Sequence, residues 1–384
     1  MRILHTADWH IGKIVNGVHM TKDQEYILGK LIEIIKEEKP DVIVIAGDLY
    51  DRSIPPVDAV ELLDRVFSKI LLEIKVPIIA IAGNHDSADR VSFANKILRD
   101  KGLYIEGKYS GTAAKVTLDD QYGPVNFYSI PYMDPAEVRE ILDDETIKTH
   151  DDAMKAIIRG IHLDSSERNV AVAHGYITGA EALEQSDSER PLSIGGTDFV
   201  DVNYFGNFNY VALGHLHGRQ KVSKEYIRYS GSILKYSFSE VNQKKGVTII
   251  DLDGDGTTNI SFKELVPLRD MRRIKGELNK LLDPKIYSET NVQDYLHVVL
   301  TDEGELIDPI NKLREVYPNV LSLERFDRKK NSEVNKTSAG ISVKEKSKLE
   351  LFSTFYTNIT GDEFTDEKEE IIKGVIEEVE KRER

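Results

Sequence analysis

The amino-acid sequence predicts an α/β fold built around a parallel sheet. Near the N-terminus, apolar runs of strand-forming residues alternate with amphipathic helical patterns, an order typical of parallel strands joined by right-handed crossovers. Residues 42–46 (VIVIA) are apolar throughout, as expected of a strand buried on both faces. Gly47 then permits a sharp turn, so Asp48 should stand at the carboxyl end of the strand, where such sheets bind ligands.

Four further stretches repeat this design, because each is an apolar run that stops at residues able to bind metal. They are residues 2–10 (RILHTADWH), 77–86 (PIIAIAGNHD), 170–175 (VAVAHG) and 210–217 (YVALGHLH). The carboxyl ends of parallel strands lie at one edge of a sheet, so the sequence predicts a functional edge there.

The intervening elements follow from hydrophobic spacing. Helices are predicted at 24–36, 57–74 and 152–163, short strands at 115–118 and 125–130, and a polar loop at 179–199. After His217, antiparallel strands are predicted at 227–233, 246–253 and 259–266, with two Asp-Gly pairs marking turns.

The pattern changes at about residue 267, and four segments result: 1–266, 267–328, 329–346 and 347–384. The second is a small α+β unit with helices predicted at 271–282 and 308–316 and strands at 295–300 and 320–326. The third is polar and basic, which is typical of a linker. The last has helical patterns at 348–356 and 365–381, the second with an apolar stripe, and is too short to build its own core. We expect it to dock on a partner.

Composition indicates an ordinary globular protein of 384 residues, 40% hydrophobic and 30% charged. The absence of cysteine excludes disulfides, thiolate zinc sites and cysteine nucleophiles. Met1 leads directly into the first strand, and no apolar run approaches the length of a membrane span, so we expect a cytoplasmic protein without membrane association.

The net charge of −15 argues against a protein that coats nucleic acid, since such domains carry a basic excess. It does not exclude an enzyme that acts on DNA, because carboxylates that hold divalent cations count as negative although the occupied site is locally positive. Phosphate must then be bound by a local part of the surface, by bound metal or by a partner.

Seven residues at the five strand ends are candidate metal ligands: Asp8, His10, Asp48, Asn84, His174, His215 and His217. In DWH and HLH the outer residues are two apart, so in extended backbone both side chains point the same way. We predict one ion held by Asp8, His10 and His217. A second would be held by Asn84, His174 and His215, with Asp48 bridging the two.

This donor set predicts phosphoester hydrolysis. Carboxylates mixed with imidazoles suit manganese, iron or zinc better than magnesium. Two such ions about 3.5–4 Å apart form a clamp for in-line displacement at phosphorus. His85 lies beside Asn84 and is spare as a ligand, so it is the candidate general acid for the leaving oxygen.

Simpler interpretations apply to single residues. A lone histidine is commonly structural or exposed, which is the interpretation for His5, His19, His150, His162 and His297. A lone Gly-Asp pair after a strand is commonly a turn. The conjunction of five strand ends favours a metal site, and the spare His85 argues against a scaffold in which metal only stabilises the fold.

The ordered motifs DWH, GDLYD, GNHD, AHG and GHLHG resemble those of the calcineurin-like metallophosphoesterases. The resemblance covers about residues 1–265 and implies a two-sheet sandwich with flanking helices. It does not choose between phosphatase, cyclic nucleotide phosphodiesterase and nuclease.

Three segments favour the nuclease. They resemble the SbcD nucleases of SbcCD complexes, which process DNA double-strand breaks, and their sequences are RILHTADWHIGK, GDLYDRSIPP and YSGSILKYSFS. That resemblance covers nearly the whole chain. It implies a capping domain at 267–328, a linker at 329–346 and a helical segment at 347–384 that binds the coiled-coil base of the ATPase SbcC.

The resemblance implies two Mn²⁺ ions on the seven ligands, with Mg²⁺, Fe²⁺ or Zn²⁺ as other ions, and His85 assisting the transition state. It implies 3′ to 5′ exonuclease action on duplex ends and endonuclease action on single strands and hairpins, gated by ATP in SbcC. The alternative is a stand-alone phosphatase or phosphodiesterase for small substrates, which leaves the C-terminal segment without a purpose.

Two further expectations come from the resemblance. Some relatives carry histidine where this chain has Asp51, so the roles of Asp51 and Arg52 are open, a solvated loop being the simplest interpretation. A homodimer is expected through helices 57–74 and 91–98. The apolar residues thought to exceed the needs of a core are Val60, Leu63, Val66, Phe67 and Ile70, although all five could instead be core.

Overall fold

The computed structural model describes residues 1–189, 198–326, 349, 364–365 and 368–374. The chain divides into two compact units, Met1–Arg325 and Phe326–Arg384. In the second unit, residues 368–374 are helical and Ile371 is exposed. The predicted linker at 329–346, and most of the helices predicted at 348–356 and 365–381, lie outside the described residues.

Strands make up most of the first unit. They are β1 (Arg2–Thr6), β2 (Ile14–Val15), β3 (Val18–His19), β4 (Val42–Ile45), β5 (Ile78–Ile81), β6 (Leu103–Glu106), β7 (Ala114–Asp120), β8 (Gly123–Ile130), β9 (Arg168–His174), β10 (Tyr176–Thr178), β11 (Phe199–Asp201), β12 (Tyr210–Gly214), β13 (Gln220–Val222), β14 (Lys224–Tyr229), β15 (Gly246–Leu252), β16 (Thr258–Glu264), β17 (Met271–Gly276), β18 (Tyr295–Leu300) and β19 (Val320–Arg325).

The α-helices of this unit are α1 (Thr21–Glu38), α2 (Val57–Ser68), α3 (Ala88–Val91), α4 (Asn95–Leu98), α5 (Pro135–Leu142), α6 (His150–Arg159), α7 (Leu278–Leu281), α8 (Pro284–Tyr287) and α9 (Pro309–Val316). A π-helical segment, Lys69–Ile74, continues α2. In the described part of the chain, none of the helices combines the length and apolarity that crossing a membrane needs.

Two six-stranded sheets form the main body. The first has the order β16-β15-β1-β4-β5-β6, and β1, β4, β5 and β6 run parallel, which confirms the predicted parallel core. The second has the order β13-β14-β12-β9-β8-β7. The expectation of purely antiparallel strands after His217 is wrong for β14. It pairs in parallel with β12 and antiparallel only with its hairpin partner β13.

The two sheets pack face to face with helices outside. Alternate strand residues, among them Val42, Val44, Val170 and Val172, form the core between the sheets. The outer face of the first sheet packs with α1 and α2, and that of the second packs with α5 and α6. The result is the predicted two-sheet sandwich with flanking helices.

The helix predicted at 57–74 changes character at residue 69, and its apolar residues belong mostly to the core. Leu63, Val66, Phe67 and Ile70 are buried, and of the five residues expected at a dimer contact only Val60 is exposed, at 43%. The argument that these five exceed the needs of the core is therefore wrong. The helix predicted at 91–98 is instead two short helices, α3 and α4.

A small three-stranded parallel sheet, β17-β18-β19, lies beside the sandwich in the same unit. Its own apolar core includes Leu278, Leu296, Leu313 and Val320. The helix predicted at 271–282 is wrong, because Met271–Gly276 is a strand and only Leu278–Leu281 is helical. Pairing along the whole length of β18 outweighs the weak helical spacing of this segment.

Candidate metal centre

The five strands that carry the predicted ligands end at one place, where the two sheets approach each other. A Cβ added to Gly214 would lie 1.8 Å from the carbonyl oxygen of Ala46, on the opposite sheet. One added to Gly47 would lie 2.3 Å from His174 Nδ1. Only glycine fits at either position, so these two residues permit the close approach that brings both sets of ligands together.

Four of the ligand residues have unusual backbone conformations. The φ angles of Asp8, His10, Asp48 and His215 are 54°, 46°, 54° and 114°, a region that residues other than glycine seldom occupy. The extended backbone assumed for DWH is therefore wrong, although Asp8 and His10 do reach one site. Backbone N–H groups hold these turns, because His10 N donates to Asp48 O at 3.0 Å. Strain of this kind concentrates at functional sites.

The first predicted set of ligands converges. His10 Nε2 lies 3.1 Å from His217 Nε2, and ligand atoms of Asp8, His10 and His217 all lie within 4.8 Å of one another. Two buried imidazole nitrogens that face each other, with a carboxylate beside them, form a suitable pocket for a cation.

The second predicted set also converges, around the side-chain oxygen of Asn84. His174 Nε2 lies 2.9 Å from Asn84 Oδ1, and His215 Nδ1 lies 3.2 Å from the same oxygen. Asp48 Oδ2 is 3.6 Å from His10 Nε2 and 3.5 Å from His174 Nε2. Asp48 thus occupies the position between the two sets that a bridging ligand requires.

The electrostatics of the site fit divalent cations. Burial raises the pKa of the Asp8 carboxyl well above its usual range, and nearby Asp48 adds to the effect. In the described part of the chain, no Lys or Arg nitrogen lies within 4.0 Å of either carboxylate. Uncompensated buried charge is costly. Metal ions bound among these oxygens would remove that cost.

The imidazoles are held in the form that binds metal. Burial lowers the pKa of His10, His174, His215 and His217, so these rings are neutral near pH 7. His174 Nδ1 donates a hydrogen bond to the carbonyl oxygen of Ala46 at 2.8 Å. The other ring nitrogen, Nε2, therefore carries no hydrogen, faces Asp48 and is free to bind metal. The chemistry and arrangement of the seven side chains therefore fit two divalent ions.

His85 lies beside the first set of ligands. Its ring packs edge to face against that of His10, with centroids 4.7 Å apart. Its backbone N–H donates to Asp48 Oδ1 at 2.9 Å, and its Nδ1 contacts the carbonyl oxygen of Asp51 at 2.8 Å. This position, beside the ligands and fixed by hydrogen bonds, suits a proton donor.

The interpretation of Asp51 as part of a solvated loop is wrong. Its side chain is only 13% exposed and accepts a hydrogen bond from Lys13 Nζ at 2.8 Å. Arg52 is different, because its guanidinium is 54% exposed and lies 3.9 Å from Asp51 Oδ2. A contact of that length at the surface contributes little to stability.

Sequence reasoning missed a buried network that supports His217. Glu240 is fully buried, and its Oε1 lies 3.3 Å from His217 Nδ1 while its Oε2 pairs with Lys245 Nζ at 2.7 Å. Lys245 Nζ also donates to the carbonyl oxygen of His217 at 2.7 Å. Ser188 Oγ contacts His217 Nδ1 at 2.7 Å. Such contacts orient a metal-binding imidazole.

Two further missed residues hold the ligand loops of the first sheet. Asp86 accepts backbone N–H groups of Leu49, Tyr50 and Gly83 at 3.1, 2.9 and 3.0 Å, and burial raises its pKa to about 7. Gln24 Nε2 donates to the carbonyl oxygen of His10 at 2.7 Å. Asp86 was visible as the last residue of GNHD, whereas no local pattern marks Gln24 within α1.

The remaining histidines fall outside the two ligand sets. His5 is buried between the sheets, where Nδ1 contacts Tyr210 Oη at 2.9 Å and Nε2 contacts Leu213 O at 3.2 Å. Burial lowers its pKa to about 3, so the ring is neutral and structural. His19 and His162 are exposed, His150 begins α6, and His297 pairs with Glu324 at 3.3 Å.

Two family models match the chain. Residues 1–219 match a model described as calcineurin-like phosphoesterase. Residues 267–360 match the model SbcD_C, described as type 5 capsule protein repressor C-terminal domain.

Two solved structures are also similar. Yfce, a phosphoesterase from E. coli, is 12% identical, with 69% of this chain and 100% of that chain covered and a TM-score of 0.26. A dimetal phosphatase from Danio rerio is 10% identical, with 69% and 96% covered and a TM-score of 0.35.

Proposed function

The chain belongs to the calcineurin-like phosphoesterase family, whose members use divalent metals, and we propose that it is a manganese-dependent DNA nuclease subunit of the SbcD type. The observation that carries this proposal is the convergence of two ligand sets on either side of Asp48. Its Oδ2 lies 3.6 Å from His10 Nε2 and 3.5 Å from His174 Nε2. The mixture of carboxylate, amide and imidazole donors suits Mn²⁺.

The proposed mechanism assigns the chain's own residues three tasks. Asp8, His10 and His217 would hold one ion, Asn84, His174 and His215 would hold the other, and Asp48 would serve both. When bound, the ions stabilise negative charge on the phosphoryl oxygens and activate water. His85, held by Asp51 O at 2.8 Å, donates a proton to the leaving oxygen.

A polar groove beside the ligands supports DNA as the substrate. It has a volume of about 770 Å³ and includes Lys13, Asn16, Asn242, Arg273 and His297 in its lining. Ser188, which contacts His217 Nδ1, lines it too. A groove of this size, with cationic and amide side chains along it, suits a chain of phosphodiesters better than a single small ester.

A homodimer through the surface formed by α2 to α4 remains part of the proposal. Most of the residues first expected at this contact are buried in the core. The contact is supported instead by four exposed apolar side chains, Val57, Val60, Phe93 and Ile97. Apolar side chains exposed on this surface are available for contact with another protein. Light scattering that finds an active monomer at micromolar concentration would overturn this part.

Association with the ATPase SbcC through residues 347–384 is the remaining part. It rests on the resemblance of the chain to the SbcD nucleases and on the match of residues 267–360 to SbcD_C. Truncation after Arg328 should leave manganese-dependent cleavage of single-stranded DNA intact and abolish co-purification with SbcC. A truncated chain that still binds SbcC with unchanged affinity would contradict this assignment.

The test of the function is a manganese-dependent digestion of end-labelled duplex, single-stranded and hairpin DNA, beside p-nitrophenyl phosphate esters. We expect DNA cleavage from the wild type and none from Asn84→Ala, which lacks a ligand of one ion. Hydrolysis of the small esters without cleavage of any DNA would instead support the stand-alone phosphatase or phosphodiesterase.

A further inference from the structure

Lys13 and Asp51 form an ion pair that the proposed reaction does not yet use. Lys13 Nζ lies 2.8 Å from Asp51 Oδ1, and both side chains are only 13% exposed. The Lys13 ammonium also lies 5.7 Å from the centroid of the Tyr236 ring. An ion pair so shielded from water is less screened than an exposed pair, so it can fix the geometry of the groups around it.

The pair joins the loops that follow β1 and β4. Lys13 N donates to the carbonyl oxygen of His10 at 3.0 Å, and Asp51 N donates to that of Ile11 at 3.2 Å. The two side chains close the connection that these backbone hydrogen bonds begin. Movement of Asp51 relative to His10 is therefore restrained from both its backbone and its side chain.

Asp51 extends this connection to His85. The carbonyl oxygen of Asp51 lies 2.8 Å from His85 Nδ1. A carbonyl oxygen can only accept, so Nδ1 must carry the hydrogen, and Nε2 is the nitrogen left for proton transfer. The same contact fixes the plane of the ring against His10, at a centroid distance of 4.7 Å.

We propose that Lys13 and Asp51 are a positioning pair that holds His85 with Nδ1–H on the Asp51 carbonyl oxygen, so that Nε2 can take up a proton from water and pass it to the leaving oxygen. This inference rests on the proposed function of His85 as proton donor. Neither residue of the pair is among the seven predicted ligands, although ligand atoms of Asp51, His10 and His85 lie within 4.8 Å of one another. Asp51 Oδ1 is 3.7 Å from His10 Nδ1, too far for a hydrogen bond. The pair therefore acts through the Asp51 carbonyl group.

The proposal separates two kinds of substrate. A general acid matters most when the leaving oxygen is a poor leaving group, as in DNA, and least for p-nitrophenolate, which leaves without a proton. A displacement of about 1 Å at a catalytic group can lower the rate by roughly 10²-fold. Loss of the pair should therefore lower kcat on DNA and leave kcat on bis(p-nitrophenyl) phosphate nearly unchanged.

The experiment compares Lys13→Met, Asp51→Ala and the double variant with wild type, in Mn²⁺, on a single-stranded oligonucleotide and on bis(p-nitrophenyl) phosphate. We expect kcat on the oligonucleotide to fall by about 10- to 100-fold and kcat on the small ester to fall by less than about threefold. KM for the oligonucleotide should stay unchanged in Asp51→Ala and rise in the variants that lack Lys13, because Lys13 also lines the groove. The double variant should lose no more than either single variant, because both break one pair. Lys13→Arg should restore most of the activity.

The matched control is Lys221→Met, which breaks the exposed pair that Lys221 Nζ forms with Glu225 Oε1 at 2.6 Å. This variant removes the same charge and should leave kcat on both substrates unchanged. Calorimetry should find the same number of Mn²⁺ ions bound to the control, to Lys13→Met and to wild type.

A second readout does not need activity. In metal-free protein with ¹⁵N-labelled histidine, the signal assigned to His85 by its absence in His85→Ala should show the Nδ1–H tautomer. In Lys13→Met the same signal should shift towards a mixture of tautomers. This readout decides the proposal even if no phosphodiester is cleaved.

Three results would overturn the positioning role: an equal fall in kcat on both substrates, a loss of Mn²⁺ from the variants, or an unchanged His85 tautomer. Failure of the proposed function is distinguishable. In that case wild type itself does not cleave the oligonucleotide, or His85→Ala loses the same factor on both substrates.

Discussion

The two sheets contribute different donors to the candidate site and hold them in different ways. The first sheet supplies the oxygen donors Asp8, Asp48 and Asn84 together with His10, whereas the three predicted ligands from the second sheet are all imidazoles. Backbone N–H groups hold the carboxylates, as His215 N does for Asp8 Oδ1 at 3.0 Å. The imidazoles of His174 and His217 are instead held through Nδ1, at Ala46 O and at Glu240.

This difference has a physical cause. A carboxylate only accepts hydrogen bonds, so backbone N–H groups in a tight turn are sufficient to fix it. An imidazole has two tautomers, and an acceptor at one nitrogen is needed to leave the other free for a metal. Changes in the first sheet should therefore remove ligands outright, whereas changes behind the second should weaken affinity in steps.

The largest effect is expected from Asp48→Ala. The bridging carboxylate serves both ions, and without it two cations face each other unscreened. Phosphodiesterase activity should become undetectable while the thermal unfolding of the metal-free protein shows an intact fold. Metal analysis that still finds two ions per chain would show that Asp48 is not the bridge.

Gly214→Ala tests the closeness of the two sheets. The added Cβ would lie 1.8 Å from the carbonyl oxygen of Ala46, so the sheets must separate. We expect a loss of about 3 kcal/mol in the free energy of unfolding, with weaker metal binding at neighbouring His215. The control is Gly29→Ala in α1, where nothing lies within 4 Å of the new Cβ and a gain of about 0.5–1 kcal/mol is expected. Equal denaturation midpoints for the two variants would contradict this packing.

Glu240→Gln tests the support behind His217. Loss of the buried carboxylate removes the ion pair with Lys245 Nζ at 2.7 Å and loosens the imidazole. Metal affinity should fall by about 10- to 100-fold, the usual effect of changing a group that orients a ligand. Glu225→Gln, which changes an exposed carboxylate, is the matched control in the same calorimetric titration. If the two variants bind Mn²⁺ equally well, Glu240 does not orient His217.

The smallest effect concerns pH. Because the pKa of Asp8 is raised in the metal-free fold, metal binding should release a proton from it, and affinity should rise by up to about tenfold per pH unit. The histidines, whose pKa values are lowered, are already neutral at pH 7 and release none. Calorimetry in buffers of different ionisation enthalpy measures the protons released. Binding that releases no proton at any pH above the ordinary range of about 4 would contradict the raised pKa.

The raised pKa of Asp8 also affects the free energy of unfolding of the metal-free protein. A raised folded pKa means that Asp8 favours the fold while protonated, so this contribution is lost as pH rises from its ordinary range of about 4 through the folded value. Asp86 and Glu189, each with a pKa of about 7, act in the same direction. The buried histidines, whose folded pKa values are lowered, act in the opposite direction around pH 6.5, where they are half protonated in the unfolded chain.

The sequence predicted what depends on local pattern. Apolar runs that stop at polar residues located the five strand ends, and the structure brings all seven predicted ligands together there. The helix predicted at 271–282 was wrong because its alternative, pairing with β18, depends on a strand more than twenty residues away. The backbone of Asp8 and His10 was wrongly taken as extended, since the turn is imposed by hydrogen bonds from the loop after β4.

The supporting residues could not be predicted for a related reason. Glu240 and Lys245 approach His217 only through the folded chain, and a glutamate after a serine-rich segment carries no local signal. Asp51 appeared to lie in a solvated loop because its partner, Lys13, is distant in sequence. Ligands at strand ends are visible in a sequence, whereas the groups that orient them come from elsewhere in the fold.

The most direct test of the central claim is the location of metal in crystals soaked with Mn²⁺, by anomalous scattering. We expect two peaks about 3.5–4 Å apart, the spacing of two-metal sites. One should lie between His10 and His217, the other among Asn84, His174 and His215, with Asp48 contacting both. A single peak, or peaks that lie away from Asp48, would contradict the two-metal site at the meeting edge of the two sheets.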